Sequence, residues 1–347
     1  MRTLAVRLDN AGDVLLAGPA LRALAHTSGG AVDLLVSPSG AAAARLLPGV
    51  GDVLVTDPPW SGFRPPPVNR LAITDLIEGL AARRYQRAVI FTSFHQSPLP
   101  MALLARMAGI GYIAADCEDY PGSLLDVRHQ RAEVHEVTAA LQLAEAAGGA
   151  LPPGDDGRLK VTVPRRICVD VPAEPYVVVH TEASVPARSL RAGHACRIVE
   201  AIASAGWRVV ITGNKPGSAV EGFAGVTDLS GRTTFEQLAA VLAGSACAVA
   251  VNSGPAHLAA ATGTPVVSLF APVVPASRWA PFGVPAAVLG DQQALCRGSR
   301  ARECPVPGHP CLTGIDPADV VAAIRSLAGP PASAPAGPAA QRFGGAA

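Results

Sequence analysis

The chain has 347 residues, 49% of them hydrophobic and only 4% aromatic, with a formal net charge of +1. That length exceeds one ordinary core and suits two, and the near-zero charge argues against a nucleic-acid surface or charge-steered binding. No stretch reaches the ~18 uncharged apolar residues of a membrane span. Met1 to Leu8 lacks the apolar core and cleavage site of a secretory signal, so a soluble cytoplasmic protein is expected.

In chain order the pattern alternates strand and helix. Strands are predicted at Thr3 to Leu8, Val32 to Val36, Asp52 to Val55, Ala88 to Phe91 and Ile110 to Ala114. Helices are predicted to open at Asp13 and to cover Ala41 to Leu46, Asn69 to Arg84, Leu99 to Ala108 and Glu133 to Ala147. Pro58 to Pro67 carries five prolines in ten residues and reads as an exposed loop. The polar Gly148 to Asp156 stretch marks a boundary, after which the alternation resumes. Strands are predicted at Tyr176 to His180 and Trp207 to Thr212, with helices at Ala192 to Ser204, Thr234 to Ala243 and Pro317 to Leu327.

Such βαβ alternation implies an α/β fold with parallel strands in two doubly wound, Rossmann-like halves. Residues 1–160 form the first, 161–328 the second, and 329–347 an Ala/Pro/Gly tail without periodicity, expected to be disordered.

The segment Cys247 to Pro272 carries the most chemistry. It reads as a buried strand (Ala246 to Val251), a turn at Asn252-Ser253-Gly254, a short helix (Pro255 to Ala261), and a second strand (Val266 to Phe270). Asn252 or Ser253 can cap the helix, and Pro255 suits its first position. The helix amino terminus then faces the crevice at the strand ends, where a phosphate is the expected guest, with His257 one turn in. Such turns are also common as plain scaffold.

This string resembles the donor-binding signature of glycosyltransferase family 9, the heptosyltransferase-like enzymes: Asp-(Ser/Thr)-Gly-Pro-x-His-Leu-Ala-Ala-Ala-x-Gly-x-Pro. The one departure is Asn252, where the family carries aspartate. Arg7 to Leu21, with Gly12-Asp13-Val14 and a later Pro-Ala-Leu, resembles the family's amino-terminal signature. The resemblance implies that Asp13 is the general base deprotonating an acceptor hydroxyl. Asp9 is its nearest rival, and by pattern alone Asp13 is simply a helix cap.

His180 to Arg188 resembles the family's His-Pro-Gly-Ala-Ser-x-x-Arg segment. Arg188 would neutralise the leaving diphosphate and Ser184 would add a hydrogen bond. Thr181-Glu182 departs from the family's Pro-Gly, adding a carboxylate near the expected phosphates. Thr212-Gly213-Asn214-Lys215-Pro216-Gly217 resembles a nucleoside-binding stretch. Here Gly217 stands at the family's glutamate position, with Glu221 as a substitute one turn on. Asp228 to Thr234 also matches the family, although a Thr-capped helix start explains it equally well.

The resemblance implies the two-domain architecture called GT-B and an inverting transfer of a sugar from an ADP-sugar, ADP-heptose in the family, to a glycan or glycolipid acceptor. No cofactor is implied, because the helix terminus and Arg188 can neutralise the diphosphate. The expected partners are the donor and that acceptor, with no nucleic acid and at most peripheral membrane contact. A sugar-nucleotide epimerase of the same architecture, or a non-catalytic nucleotide-sugar binder, are the alternatives.

Two features stand outside the resemblance's chemistry. Cys296, Cys304, His309 and Cys311 form a candidate structural zinc set, although its Cys-x7-Cys spacing is wider than usual. The other cysteines (Cys117, Cys168, Cys196, Cys247) read as small buried hydrophobes. His129-x5-His135-Glu136 invites a metal reading but fits an ordinary helix surface.

Overall fold

The computed structural model describes residues 1–62, 64–93, 95–164, 169–214 and 223–331. Lys215, Gly217, Glu221, Cys168 and all but three residues of the tail lie outside the described residues.

The first sheet takes its strands from β1 (Thr3–Arg7), β2 (Val32–Val36), β3 (Val50–Val55), β4 (Arg87–Phe91), β5 (Tyr112–Asp116) and β6 (Val127–His129). Between them run α1 (Ala11–Leu16), α2 (Gly18–Ser28), α3 (Ala41–Ala44), α4 (Arg70–Arg83) and α5 (Leu99–Met107), followed by α6 (Glu136–Ala146). The second sheet uses β7 (Tyr176–His180), β8 (Arg208–Thr212), β9 (Val226–Asp228), β10 (Cys247–Val251), β11 (Val266–Leu269) and β12 (Ala286–Leu289). Its helices are α7 (Ala192–Ser204), α8 (Phe235–Ala243), α9 (Gly254–Ala261), α10 (Ala276–Trp279), α11 (Pro310–Thr313) and α12 (Pro317–Ala328).

Both sheets are parallel throughout and share one topology. The first runs β3-β2-β1-β4-β5-β6, and the second, read from its far edge, β9-β8-β7-β10-β11-β12. This is the doubly wound order in which the strand sequence reverses direction once, opening a crevice beyond the carboxyl ends of the two strands at the reversal. In the first half those strands are β1 and β4, and in the second β7 and β10. The central strands β1, β2, β4, β7 and β10 are buried along their whole length, as expected of Val- and Ala-rich strands covered on both faces.

The halves meet through helices rather than strands. α1 packs on α9, and Leu16, Val137, Ala260 and Ala261 form a buried apolar cluster drawn from both halves. The start of α6 touches the α10 region. There His135 Nε2 lies 2.9 Å from the Ala280 carbonyl, and its ring centroid lies 4.7 Å from that of Phe282.

Several sequence expectations shift in detail. α1 begins at Ala11 with Asn10 at its cap, so Asp13 lies inside the first turn rather than opening the helix. α6 begins at Glu136, because the His135 side chain accepts a hydrogen bond from Val137 N and caps it there. β6, β9, β12, α10 and α11 had no counterpart in the sequence reading. No helix of the described residues is long and apolar enough to cross a membrane.

Candidate active site

A cleft of about 780 Å³ lies between the halves, where the two crevices face each other. Asp9, Asp13 and His95 line it from the first half; Arg188, Ser253 and His257 line it from the second. These side chains come from the loops and first helical turns that follow β1, β4, β7 and β10, the four strands at the two topological reversals.

On the first side the decisive group is Arg7, the last residue of β1. It is only 3% exposed, and its guanidinium holds two carboxylates: Nε lies 2.9 Å from Asp9 Oδ2, and Nη2 donates to Asp13 Oδ1 at 3.2 Å. Burial works against the Arg7 charge, but Asp9, Asp13 and Glu136 outweigh it and keep the guanidinium charged. The two carboxylates differ in freedom. Asp9 accepts from Gln96 Nε2 at 2.7 Å on its other oxygen, and burial followed by the nearby Asp13 pushes its pKa up, against the pull of Arg7. Asp13 keeps more exposure to the cleft, and among the described residues only its Oδ1 is bonded. Asp13 is therefore the carboxylate better placed to receive a proton from a bound hydroxyl. Its side chain caps nothing.

On the second side, the strand-turn-helix of β10 and α9 forms as read, but neither expected cap is made. Ser253 occupies the N-cap position without a side-chain cap bond, and its Oγ donates to Val251 O at 3.2 Å. Asn252 is buried and faces away from the helix, bridging Ala271 by Nδ2 to its carbonyl and by Oδ1 from its amide, both at 3.3 Å. Asn252 thus fixes the turn onto the end of β11, and the α9 amino terminus is left to the cleft. The positive end of a helix at such a place favours an anion.

His257 follows on the first turn of α9, 6% exposed, with Nδ1 lacking a hydrogen-bond partner among the described residues. Burial, then the charges of His135 and Arg188, pushes its pKa down to about 3, so its imidazole is neutral at physiological pH. It can serve an anion by donating an N–H rather than by charge.

Arg188 ends the short 3₁₀ turn Pro186–Arg188, and the loop is tied back by Ser189 Oγ to Ala183 N at 3.0 Å. Burial lowers its pKa while Asp13 across the cleft raises it, so the two are within electrostatic reach. Its Nε also lacks a partner among the described residues. Ser184 lines the cleft beside it.

Gly213 and Glu182 stand against each other at the end of β8. Gly213 lies outside the cleft lining, packed so that a Cβ there would stand 3.2 Å from the Glu182 carboxylate. Glu182 accepts from Asn214 N at 2.8 Å. The Asp228–Thr234 stretch contributes a capping box between Thr234 and Gln237.

The zinc reading also fails to assemble. His309 adopts the left-handed region, φ 61°, and its Nε2 lies 3.1 Å from the Ala187 carbonyl. Cys296 and Cys311 are buried in the apolar core of the second half, with Cys304 packed against it. Burial, then the adjacent Cys296 and Cys304 thiols, pushes Cys311 up to about 12. No group of three or more metal-ligating side chains among the described residues is arranged to hold an ion. Cys117 and Cys247 are buried as expected, whereas Cys196 is half-buried.

Residues 73–309 match the family model of glycosyltransferase family 9 (heptosyltransferase). The chain belongs to glycosyltransferase family 9. The match covers the α9 turn, Arg188 and His257, while Asp13 precedes it. No curated protein sequence matches the chain. Among solved structures, the fold of this glycosyltransferase is similar to the E. coli ADP-heptose LPS heptosyltransferase II, with 20% identity over 94% of this chain and 98% of that one, at a TM-score of 0.67. A family 9 glycosyl transferase from Veillonella parvula gives 16% identity, 94% and 96% coverage and a TM-score of 0.72. E. coli heptosyltransferase WaaC with ADP gives 21% identity, 83% and 93% coverage and 0.65. At such identities the likeness is one of fold, and it fixes the two-sheet architecture as that of these transferases.

Sequence reasoning missed Arg7, Gln96 and Glu136. Arg7 sits inside a short apolar strand, and nothing in its own neighbourhood announces three carboxylates. The spacing Arg7-x-Asp9-x₃-Asp13 at a strand end was the available signal.

Proposed function

We propose that this glycosyltransferase moves heptose from ADP-heptose, with inversion, to a hydroxyl of a glycan or glycolipid. The second half, 161–328, holds the donor, and the first, 1–160, presents the acceptor. The observation that carries the reading is the opposition across one cleft of a carboxylate with a free oxygen, Asp13, and a diphosphate-sized set of donors: the α9 amino terminus, His257 and Arg188.

On this reading the pyrophosphate lies at Ser253-Gly254, with its charge met by the helix terminus and by the Arg188 guanidinium. As the anomeric bond breaks, negative charge grows on the departing oxygen, and the preorganised N–H groups stabilise it without reorganising. Asp13 approaches from the opposite side, takes the acceptor proton during attack, and so inverts the anomeric centre. The similar structures support the donor, one being described as WaaC with ADP-2-deoxy-2-fluoro heptose. An epimerase would need acid and base carboxylates in the second half, and Glu182, the one candidate there, is turned onto Asn214. A cytoplasmic setting fits a nucleotide-sugar donor.

The test is incubation with ADP-heptose and assay of ADP release, in the parent chain and in Asp13→Asn. The parent releases ADP; Asp13→Asn loses at least about a hundredfold in turnover while ADP affinity stays within a few-fold. A new isomer of the donor, or full turnover in Asp13→Asn, overturns the reading.

A further inference from the structure

The His135-Glu136 pair, set aside in the sequence as helix surface, occupies the seam between the halves. Glu136 is 2% exposed. Three guanidinium groups surround it: Arg131 Nη2 at 2.5 Å, Arg7 Nη2 at 3.9 Å and Arg278 Nη1 at 4.0 Å. Arg7 and Arg131 belong to the first half. Arg278 lies on α10 of the second half and also reaches Glu133, at 2.7 Å.

We propose that Arg278 is a positioning residue for Asp13, acting through Glu136 and Arg7, so that the base is set in place only when the two halves are shut. The inference rests on Asp13 being the base.

The buried carboxylates of the seam share their counter-charges. The first half sets Asp9, Asp13 and Glu136 against two buried cations, Arg7 and Arg131. Arg131 is further divided, since its Nη1 lies 3.5 Å from Asp116 and donates to the Thr92 carbonyl at 2.7 Å. Arg7 is thus asked to satisfy three carboxylates. Because the site is buried, the charge of Glu136 is poorly screened and must be met by a nearby cation. Arg278 supplies the third cation, and it arrives only from the other half. With Arg278 in place, Arg7 is released from part of its duty to Glu136, and its Nη2 stays on Asp13 Oδ1 and Ser93 Oγ, both at 3.2 Å. With the halves apart, Glu136 draws Arg7 toward itself and Asp13 loses its anchor.

The seam is built for such a contact. His135 Nδ1 accepts from Val137 N, so its proton sits on Nε2 and is donated to the Ala280 carbonyl two residues beyond Arg278. The segment 133–136 and α10 therefore dock as a unit.

The experiment measures kcat and KM for ADP release from ADP-heptose, together with ADP affinity, in Arg278→Gln, Arg278→Lys, Glu133→Gln and Asp13→Asn. Arg278→Gln is expected to lower kcat about ten- to a hundredfold, the range for a misplaced catalytic group, with KM and ADP affinity within threefold. Arg278→Lys keeps the charge and recovers most of kcat. Glu133→Gln stays within twofold, because it removes only the exposed partner and leaves all three guanidiniums around Glu136. A parent-like kcat in Arg278→Gln overturns the proposal. So does an equal loss in the Gln and Lys variants, or a loss in Glu133→Gln as large as in Arg278→Gln, since either marks a simple latch. Should Arg278→Gln fail to bind ADP, the Lys and Glu133 variants still decide between charge and latch. Full turnover in Asp13→Asn instead removes the base assignment and leaves the Arg278 result to be read apart from it.

Discussion

Gly12 of the first half and His257 of the second meet so closely that a Cβ on Gly12 would stand 3.1 Å from His257 Cδ2 and 3.2 Å from Gly254 Cα. One of these neighbours is backbone and cannot swing aside. Gly12 lies in the first turn of α1, directly before Asp13, and so joins Asp13 to the α9 turn.

Gly12→Ala should therefore act on closure more than on folding. Within a helix, alanine gains roughly 0.5–1 kcal/mol over glycine, which offsets part of the crowding. The expected outcome is a melting temperature within a few degrees of the parent and at least about a tenfold fall in ADP release from ADP-heptose, since closure to about 1 Å matters to catalysis. Parent-like turnover would show that the halves tolerate a wider seam.

His257→Ala tests the anion turn. Hydrogen bonds to charged groups are worth about 1.5–3 kcal/mol, so affinity for ADP should fall by about one to two decades, and affinity for adenosine should hardly change. Calorimetric titration with both ligands decides the matter. Equal losses for the two would reduce this turn to scaffold.

Much of this arrangement was legible in the sequence. The run Cys247–Val251, the Asn-Ser-Gly-Pro punctuation and the run Val266–Leu269 set the β10-α9-β11 unit within a residue or two, because apolar runs and Gly/Pro breaks are local signals. β6, β9 and β12 were not legible. They are edge strands of three or four residues with no buried position, too short and too exposed for a hydrophobic period to register. The charge network was hidden for a different reason. Glu136 at a helix start looks like any first-turn acid, and two of the three guanidiniums that meet its buried charge, Arg7 and Arg278, lie far away in sequence. The caps failed because Asn252 found a better partner in Ala271, a contact that depends on where β11 ends.

Asn252→Asp restores the residue usual in the family at this position, yet here it replaces a donor by an acceptor 3.3 Å from the Ala271 carbonyl. Leaving that buried carbonyl without its donor costs about 1–3 kcal/mol. A lowered urea midpoint with an unchanged m-value is expected, and ADP affinity should stay within a few-fold because the side chain is engaged with the Ala271 backbone. A stability equal to the parent would mean that the loop refits around the carboxylate.

Acid should weaken the fold in a defined window. Burial holds His257 down to about 3 and His180, which is 2.9 Å from Thr212 Oγ1, down to about 4. Unfolded histidine titrates near 6.5. Below about pH 6.5 the unfolded chain takes up protons that the folded chain refuses, so stability falls as pH drops from there toward the folded values. Each histidine contributes roughly 1.4 kcal/mol per pH unit across its window. Melting temperature measured between pH 7 and 5 should decline, and more gently in His180→Gln. An identical slope in that variant would place the acid sensitivity elsewhere.

The placing of the two working groups on separate sheets has a bearing on fidelity. On the proposed roles, a sugar nucleotide seated on α9 and Arg188 alone meets no carboxylate of the second half among the described residues that line the cleft, since Glu182 is turned to Asn214 and Asp13 belongs to the other half. Hydrolysis of the donor is thereby restrained until the opposite half closes over it and brings Asp13.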